Sequence, residues 1–296
     1  MKIKKLAVIT SGGDAPGMNS VLFGIFSACQ DKNIKLYAGI GGYDGLIDNN
    51  FEILSFDKLF GNINRGGSCI KSSRSPRFLI STHFKRAVKN LIDNKFDALI
   101  VIGGDGSLKG AKELMDAGIN VINLPATIDN DMDFTYTIGF DTATNNIVNA
   151  VDNITDSIYS FGYGAVIKIM GRDCTDLIES AGSALHTDYI IRDKNFNLQR
   201  LVKSIKTHYD NQHLPPIVLV REDSVDCTEL AQTLQEKLKF QWRPHILGYI
   251  QRGGTPSAFD RRYGYEVGKI AVESALNNEF GIIIGLENND FVKKSF

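Results

Sequence analysis

Cysteine is scarce in this sequence of 296 residues, and the few thiols stand far apart. The four cysteines form no CxxC pair, which argues against a structural zinc site and against a disulfide framework. This usage is typical of isolated buried thiols in a reducing cytosol. The cysteines are Cys29, Cys69, Cys174 and Cys227.

Blocks of like charge and long apolar runs are missing as well. The formal net charge is -1, and lysine and arginine form no long block, so nothing indicates nucleic acid or an anionic membrane as a partner. The apolar run 6–9 behind the basic first residues is too short for a signal sequence, and no run approaches the length of a membrane span. We therefore expect a cytoplasmic protein.

The sequence also contains no low-complexity linker and no internal repeat. Apolar segments of strand length alternate with amphipathic helical segments, which predicts an α/β fold of parallel sheets with helices on both faces. A chain of this length corresponds to about two domains. The main predicted strands are 6–10, 34–40, 98–102, 121–124, 165–170, 216–220 and 245–250.

Polar and glycine-rich turns follow the predicted strands repeatedly, at the strand ends where open α/β sheets bind their ligands. The turn 11–14 opens a helix and offers backbone N–H groups to an anion, although a close-packed turn without a ligand is an alternative. The turn 103–107 fits neither the P-loop nor the GxGxxG pattern. Its glycines let the backbone approach a polyphosphate, and Asp105 can reach a magnesium ion that bridges the phosphates.

The segment 125–131, Pro-Ala-Thr-Ile-Asp-Asn-Asp, follows another buried strand. Two acids one residue apart can divide the chemistry, one accepting a proton from a substrate hydroxyl while the other holds a divalent cation. The alternative is that Asp129 and Asp131 are ordinary turn formers. Arg65 stands beside glycine and Arg74 between serines, with Arg77 three residues later. These side chains suit phosphate oxygens, unless they are solvated surface charges.

Five motifs together resemble the bacterial-type 6-phosphofructokinases, in the same order and spacing. They are Gly12-Gly13-Asp14 with Pro16-Gly17-Met18-Asn19, Gly103 to Ser107, Pro125 to Asp131, Met170-Gly171-Arg172 and Gln251-Arg252-Gly253-Gly254. The resemblance covers nearly the whole chain and implies two Rossmann-like three-layer domains with the active site in the cleft between them. Residues 1–137 with about 251–296 would bind the nucleotide, and 138–250 the sugar phosphate.

The resemblance implies phosphoryl transfer from MgATP to the 1-hydroxyl of fructose 6-phosphate in glycolysis. Asp129 would be the general base, with Thr127 placing the reacting group and Asp105 and Asp131 holding magnesium. Arg172, Arg74 and the Gly13 N–H would compensate charge on the transferred phosphoryl group. The implied ATP site is Gly13, Tyr43, Arg74, Phe78, Gly104, Asp105, Gly106, Ser107 and Gly110. The implied sugar-phosphate site is Thr127, Asp129, Asp131, Met170, Gly171, Arg172, Glu222, Tyr249, Arg252 and, from a neighbouring subunit, Arg243.

The sequence departs from that family at two positions of the sugar-phosphate site. Tyr163 stands where the family has arginine, and Tyr249 where it has histidine. Loss of a charged hydrogen bond to phosphate costs roughly 1.5–3 kcal/mol, or about a ten- to hundredfold loss of affinity, unless the tyrosine hydroxyls still donate. Either fructose 6-phosphate binds poorly, or the site accepts another phosphorylated ketose such as sedoheptulose 7-phosphate.

Two further positions bear on the phosphoryl donor. Pyrophosphate-dependent relatives carry Asp at the position of Gly106 and Lys at that of Ala126. The small residues here leave room for the nucleotide α-phosphate, so ATP is favoured as donor over pyrophosphate.

Regulation and assembly are expected to differ from the family. Phe23, Ser27 and Thr155 stand where relatives place effector-binding arginines, so we expect no control by ADP or phosphoenolpyruvate there. The sequence ends before the family's terminal helix, which predicts different subunit packing within a dimer or tetramer. An alternative is a weakly active subunit that serves regulation or assembly. The presence of every implied chemical residue argues against this alternative.

Overall fold

The computed structural model describes residues 3–212 and 215–296. The chain divides into two compact units, one formed by the residues up to Thr142 together with Arg252–Phe296 and the other by Ala143–Gln251. We call them the first and the second unit. The nucleotide and sugar-phosphate roles assigned to the two parts of the sequence remain predictions.

The strands lie close to the positions that the apolar runs indicate. In chain order they are β1 Lys5–Thr10, β2 Lys35–Gly39, β3 Phe51–Ile53, β4 Ala98–Gly103, β5 Val121–Pro125, β6 Gly164–Ile169, β7 Ile190–Ile191, β8 Ile217–Arg221, β9 Trp242–Ile246, β10 Ile282–Glu287 and β11 Asp290–Ser295. The helices are α1 Met18–Asp31, α2 Tyr43–Ile47, α3 Phe56–Phe60, α4 Ser81–Asp93, α5 Asp105–Asp116, α6 Phe140–Phe161, α7 Asp176–Ala184, α8 Leu198–Gln212, α9 Cys227–Leu238 and α10 Ala258–Leu276.

The first unit is built on a sheet of seven strands among the described residues, in the order β11-β10-β5-β4-β1-β2-β3. The central strands β1, β4 and β5 pair in parallel, whereas β3 and β11 are antiparallel at the two edges. Every residue of β4 and β5 is buried, which explains their continuous apolar sequences. The parallel strands bring their carboxyl ends, and therefore their polar turns, to one edge.

Helices α1 and α10 of the first unit approach one another closely because glycines lie at their contact. A Cβ atom on Gly24 would lie 2.1 Å from the carbonyl oxygen of Tyr265, and one on Gly268 would lie 2.5 Å from that of Val21. No side chain fits at either position without displacing backbone, so this helix pair depends on glycine on both of its helices.

The second unit has a smaller sheet of four parallel strands within the described residues, in the order β7-β8-β6-β9. Its core forms around Val166, Ile205, Val218 and Leu234, with Trp242 buried beside them. Strand β9 is an edge strand, and it contains Pro244, whose missing N–H is tolerated at a sheet edge.

The mainly parallel α/β fold class is confirmed, but several elements differ from the sequence-based prediction. A strand at 245–250 is wrong, since β9 ends at Ile246 and residues 248–251 form a 3-10 turn. Gly248 has φ 57°, which breaks the extended backbone inside an apolar run. The hairpin of β10 and β11 was not predicted. Within residues 3–212 and 215–296, the helices lack the combination of length and apolar character that a membrane span requires.

Asp260 in α10 is a fully buried carboxylate that holds the segment leading into α6. Its Oδ1 accepts a hydrogen bond from the Gly139 N–H at 2.8 Å, and its Oδ2 accepts from the Thr142 N–H at 2.8 Å and from the Thr142 hydroxyl. Burial is the main reason that the pKa of Asp260 is raised from 3.8 to about 6, although the three hydrogen bonds act in the opposite direction.

We expect Asp260→Asn to destabilise the first unit, because an amide cannot accept hydrogen bonds on both arms. The loss should be about 1–3 kcal/mol in the free energy of unfolding. Since the folded state binds the Asp260 proton more tightly, the stabilising contribution of this carboxyl is largest at low pH and declines as pH rises from about 4 to about 6. The difference in the free energy of unfolding between wild type and Asp260→Asn should therefore narrow as pH rises over that range, as measured by denaturant titration. Asp116→Asn, at an exposed position, is the control, and a gap that widens with pH would contradict the assignment.

Candidate active site

Three turns of the first unit meet at the carboxyl edge of β1, β4 and β5. A Cβ atom on Gly103 would lie 2.5 Å from the Ser11 carbonyl oxygen and 2.4 Å from Ser107 Oγ, and one on Gly104 would lie 3.2 Å from Thr127 Cβ. Strands β4 and β5 pair Gly103 with Pro125, so the turn 103–107 and the segment 125–131 leave the sheet side by side. The sequence-predicted phosphate turn and the paired carboxylates therefore belong to one site.

The glycine turn after β1 is covered by the guanidinium of Arg252. Arg252 Nη1 donates to the Asp14 carbonyl oxygen at 3.0 Å, and a Cβ atom on Gly13 would lie 2.8 Å from the same nitrogen. Gly12 has φ 86° and its N–H donates to the Ser73 carbonyl oxygen at 3.0 Å. Only 9% of Arg252 is exposed, so its positive charge is fixed against this turn.

The segment 127–131 gives its two acids different surroundings. Asp129 is 3% exposed, whereas Asp131 is an exposed residue. The Asp129 N–H donates to Thr127 Oγ1 at 3.1 Å, and the Thr137 hydroxyl donates to the Thr127 carbonyl oxygen at 2.7 Å. Asn130, with φ 54°, accepts from the Thr137 N–H at 2.8 Å. A rigid loop thus holds one carboxylate inside and one outside.

The two acids implied as magnesium ligands act on the same ammonium group. Lys109 Nζ lies 2.6 Å from Asp105 Oδ2, and this hydrogen bond is the main reason that the pKa of Lys109 is raised, with a smaller contribution from the charge of Asp131. No group of three potential metal-binding His, Cys, Asp or Glu residues occurs in the part of the chain that the structure describes. Two carboxylates suit magnesium that takes its remaining ligands from phosphate oxygens and water.

The residues implied to line the ATP site around α5 divide into buried and open ones. Tyr43 and Phe78 are each 4% exposed and stack at 4.1 Å, and Tyr43 Oη donates to the Ser107 carbonyl oxygen at 2.6 Å. Through this hydrogen bond the two buried rings support the first turn of α5. A Cβ atom on Gly106 would have no neighbour within 4 Å, and Arg74 is exposed.

The second unit contains a separate set of implied site residues after β6. Glu222 Oε1 accepts hydrogen bonds from the N–H groups of Gly171 at 3.2 Å and Arg172 at 2.8 Å. Gly171 has φ 138° and Arg172 has φ 47°, so this carboxylate stabilises a turn that extended backbone would not form. Arg172 is exposed, and the Met170 N–H donates to Gln251 Oε1 at 3.0 Å.

Two further residues of the implied sugar-phosphate site lie on or near β9. Arg243 is exposed, and its guanidinium carbon is 5.2 Å from the ring centroid of Tyr163. Tyr249 is 82% exposed in the 3-10 turn that follows. The apolar pattern did not predict the positions of Arg243 and Tyr249, because it placed the strand at 245–250 and β9 is Trp242–Ile246.

The sequence analysis missed residues that stabilise the loops and side chains of the site without being assigned a ligand contact. Asn130, Thr137 and Asp260 are examples, and Lys109 is another. Asn between two acids does favour a left-handed turn, and Lys109 follows Asp105 by four residues in a helix, so weak signals existed for both. No local signal identifies Asp260, whose partners lie 118 and 121 residues away.

Phe23 and Ser27, where the sequence predicts the loss of an effector site, pack against aromatic residues in the first unit. The Phe23 ring lies 6.0 Å from Phe56, 6.1 Å from Phe60 and 6.0 Å from Tyr265. Ser27 Oγ is 3.3 Å from the Tyr265 hydroxyl. The absence of control by a polyanionic effector remains a prediction, with an aromatic cluster now occupying that surface.

Comparison with known sequences gives a consistent result. The profile described as Phosphofructokinase matches residues 5–275. The ATP-dependent 6-phosphofructokinase of Clostridium botulinum (strain Eklund 17B / Type B) is 40% identical over 293 residues, covering 98% of this chain and 92% of that protein. The enzyme of the same name from Serratia proteamaculans (strain 568) is 39% identical over 292 residues, covering 98% and 91%.

Solved structures with a similar fold include two from yeasts. Pichia pastoris phosphofructokinase in the T-state has a TM-score of 0.92 at 29% identity over 100% of this chain, and phosphofructokinase from Saccharomyces cerevisiae has 0.88 at 29% over 98%. The chain spans 35% and 44% of those longer chains. A pyrophosphate-dependent phosphofructokinase from Marinobacter aquaeolei has 0.87 at 20% identity, covering 99% of this chain and 83% of that one, and shows the fold alone.

We expect alanine to have opposite effects at two glycines of α5. Gly106→Ala should raise the free energy of unfolding by about 0.5–1 kcal/mol, because the site is open and alanine favours helix. Gly110→Ala should lower it by about 1–3 kcal/mol, because the new Cβ would lie 2.7 Å from the buried Tyr43 ring. Denaturant titration of the two variants checks this. Equal stabilities would show that Tyr43 does not support the turn as described.

Proposed function

This chain belongs to the phosphofructokinase family, and we propose that it is an ATP-dependent kinase that phosphorylates the 1-hydroxyl of fructose 6-phosphate. The observation that carries the proposal is a buried carboxylate, Asp129, beside a glycine turn and two exposed acids in a chain with relatives named ATP-dependent 6-phosphofructokinase. The products are fructose 1,6-bisphosphate and ADP. The reaction belongs to glycolysis, with which the expected cytoplasmic location agrees.

In the proposed reaction, Asp129 accepts the proton of the sugar hydroxyl. The hydroxyl oxygen then forms a bond to the γ-phosphorus while the bond from that phosphorus to the ADP oxygen breaks. Thr127 places the reacting group, since its own hydroxyl and carbonyl are fixed by Asp129 N–H and Thr137. Phosphoryl transfer needs alignment and charge compensation more than covalent help, and a rigid buried base suits that need.

Asp105 and Asp131 would hold the magnesium ion, which neutralises phosphate charge when bound. Lys109 is paired with Asp105 and must turn away for that carboxylate to bind a cation. Such an exposed pair is screened by solvent and costs little to separate. The N–H of Gly13, Arg74 and Arg172 would compensate charge on the transferred phosphoryl group.

The sugar-phosphate site is assigned residue by residue. Glu222 fixes the backbone of Gly171 and Arg172, and we assign it the sugar hydroxyls together with that turn. The remaining assignments are Met170, Tyr249, Arg252 and Arg243, the last acting from a second copy of the chain in a dimer or tetramer. Residues 1–137 with about 251–296 would carry the nucleotide, and 138–250 the sugar phosphate.

ATP is assigned as the donor for steric and electrostatic reasons. An added Cβ atom at Gly106 would meet no atom within 4 Å, so the helix start leaves room for a nucleotide phosphate. Ala126 is 1% exposed, and its N–H donates to the Gly103 carbonyl oxygen at 3.2 Å, next to the glycine turn. A lysine there would put a charge into the space that a nucleotide phosphate needs.

We expect Asp129→Asn to reduce turnover by about 10² to 10⁴, because an amide cannot accept the hydroxyl proton. The KM for ATP should stay near the wild-type value, and an aldolase-coupled assay with fructose 6-phosphate measures both constants. Asp133→Asn is the matched control in the same loop, since its side chain is 96% exposed and pairs only with Lys294 among the described residues. Full turnover in Asp129→Asn would remove Asp129 from the chemistry.

We expect the wild-type protein to use ATP in preference to pyrophosphate. Gly106→Asp should lower kcat/KM for ATP by about tenfold or more, because juxtaposed like charges cost several kcal/mol. Gly106→Ala, which adds bulk without charge, should lower it by less. The assay compares both donors with fructose 6-phosphate and with sedoheptulose 7-phosphate. Faster turnover with pyrophosphate would refute the donor assignment, and faster turnover with the heptulose would replace the acceptor.

A further inference from the structure

Tyr163 and Arg243 of the second unit form a contact that the proposed function leaves unexplained. Tyr163 comes directly before β6, and the pairing of β6 with β9 sets Ala165 beside Arg243. The Arg243 guanidinium carbon lies 5.2 Å from the Tyr163 ring centroid, within the range of a cation–π contact. On α6, the Phe161 ring stacks with Tyr163 at 5.3 Å and an angle of 20°.

The pair lines a pocket of about 490 Å³ between α6 and β9. Ile154, Ile158 and Phe161 form an apolar wall, while Arg243 supplies the positive charge. The volume lies within the range of small-molecule sites. Because the guanidinium sits at a pocket rather than on a flat surface, its orientation decides where its donors point.

Arg243 is not neutralised by the protein around it. Its Nη2 donates a hydrogen bond to Gln241 Oε1 at 3.1 Å, and no carboxylate among the described residues pairs with it. His245 beside it has a lowered pKa, first because of burial and then because of the Arg243 charge. The guanidinium is thus held mainly by an aromatic face and one amide.

A ring face and a hydrogen-bonding side chain hold a guanidinium in different ways. A carboxylate partner would occupy two N–H donors and cancel the charge, whereas a ring face takes no donor and leaves the charge in place. An arginine held this way is oriented but still able to donate to a phosphate in bidentate fashion.

We propose that Tyr163 is a positioning residue that holds Arg243 through its ring face, so that the guanidinium is directed at the phosphate group of the sugar. The inference rests on the proposed function in one respect, the assignment of Arg243 to that phosphate. In this proposal the aromatic ring of Tyr163 positions Arg243, and the Tyr163 hydroxyl is not required. The departure from arginine at this position then replaces a direct phosphate ligand with an aromatic support for the remaining one.

The test compares Tyr163→Phe, which keeps the ring, with Tyr163→Leu, which removes it. Tyr163→Phe should keep the wild-type KM for fructose 6-phosphate, while Tyr163→Leu should raise it about two- to thirtyfold, the range that a cation–π contact supports. Turnover at saturation and the KM for ATP should not change in either variant. Tyr159→Leu, which removes an exposed tyrosine from the same helix, is the matched control.

A double-mutant cycle shows whether Tyr163 acts through Arg243. Arg243→Ala alone should raise the same KM, and adding Tyr163→Leu to it should cause no further rise. Equal losses in Tyr163→Phe and Tyr163→Leu would assign the work to the hydroxyl and overturn the proposal. Additive losses in the cycle, or a change of oligomeric state in Tyr163→Leu alone by sedimentation, would also overturn it.

Calorimetric titration with fructose 6-phosphate and with inorganic phosphate separates this inference from the proposed function. If the wild type shows no turnover with ATP but binds the anion, and Tyr163→Leu weakens binding where Tyr163→Phe does not, the proposed function fails and the positioning role stands. If the wild type turns over normally and neither variant alters anion binding, the positioning role fails and the proposed function stands. Absence of any phosphate binding by the wild type overturns the inference.

Discussion

The close approach of backbone turns at one edge of the first sheet is the constraint on which the candidate site depends. Gly103 is packed between the Ser11 carbonyl and Ser107 Oγ, where even one methyl group would collide with both. The parallel register of β1, β4 and β5 brings these turns to the same edge. Backbone N–H groups can face a polyphosphate there only because the side chains that would cover them are missing.

The two carboxylates of the segment 125–131 are close in sequence but differ in their exposure to solvent. Asp129 is buried in a loop that Thr127, Asn130 and Thr137 fix, and Asp131 faces outward two residues later. Asp260 extends this rigidity by joining α10 to Gly139 and to Thr142 in the first turn of α6. A buried carboxylate is costly by itself, so its three hydrogen bonds are what make the connection stable.

The second unit uses carboxylate and aromatic groups to direct positively charged side chains. Glu222 holds the turn that carries Arg172 through backbone N–H groups, and Tyr163 supports Arg243 from beneath. The ring face of Tyr163 takes no N–H donor of Arg243. Such an arrangement suits recognition of phosphate, whose oxygens match the planar fork of an arginine.

Apolar periodicity and glycine act locally, so the amino-acid sequence alone predicts the alternation of strands and helices, the mainly parallel fold and the position of the polar turns. The sequence also predicted a phosphate-binding turn at 103–107 and paired functional carboxylates in 125–131. Three features could be seen only in the folded protein: β9 ends at Ile246, Tyr43 and Phe78 are buried supports, and Arg252 lies against Gly13, 239 residues earlier. The reason is physical: burial, close contact and charge pairing between distant segments are set by packing of the whole unit, and local sequence preferences carry no record of those partners.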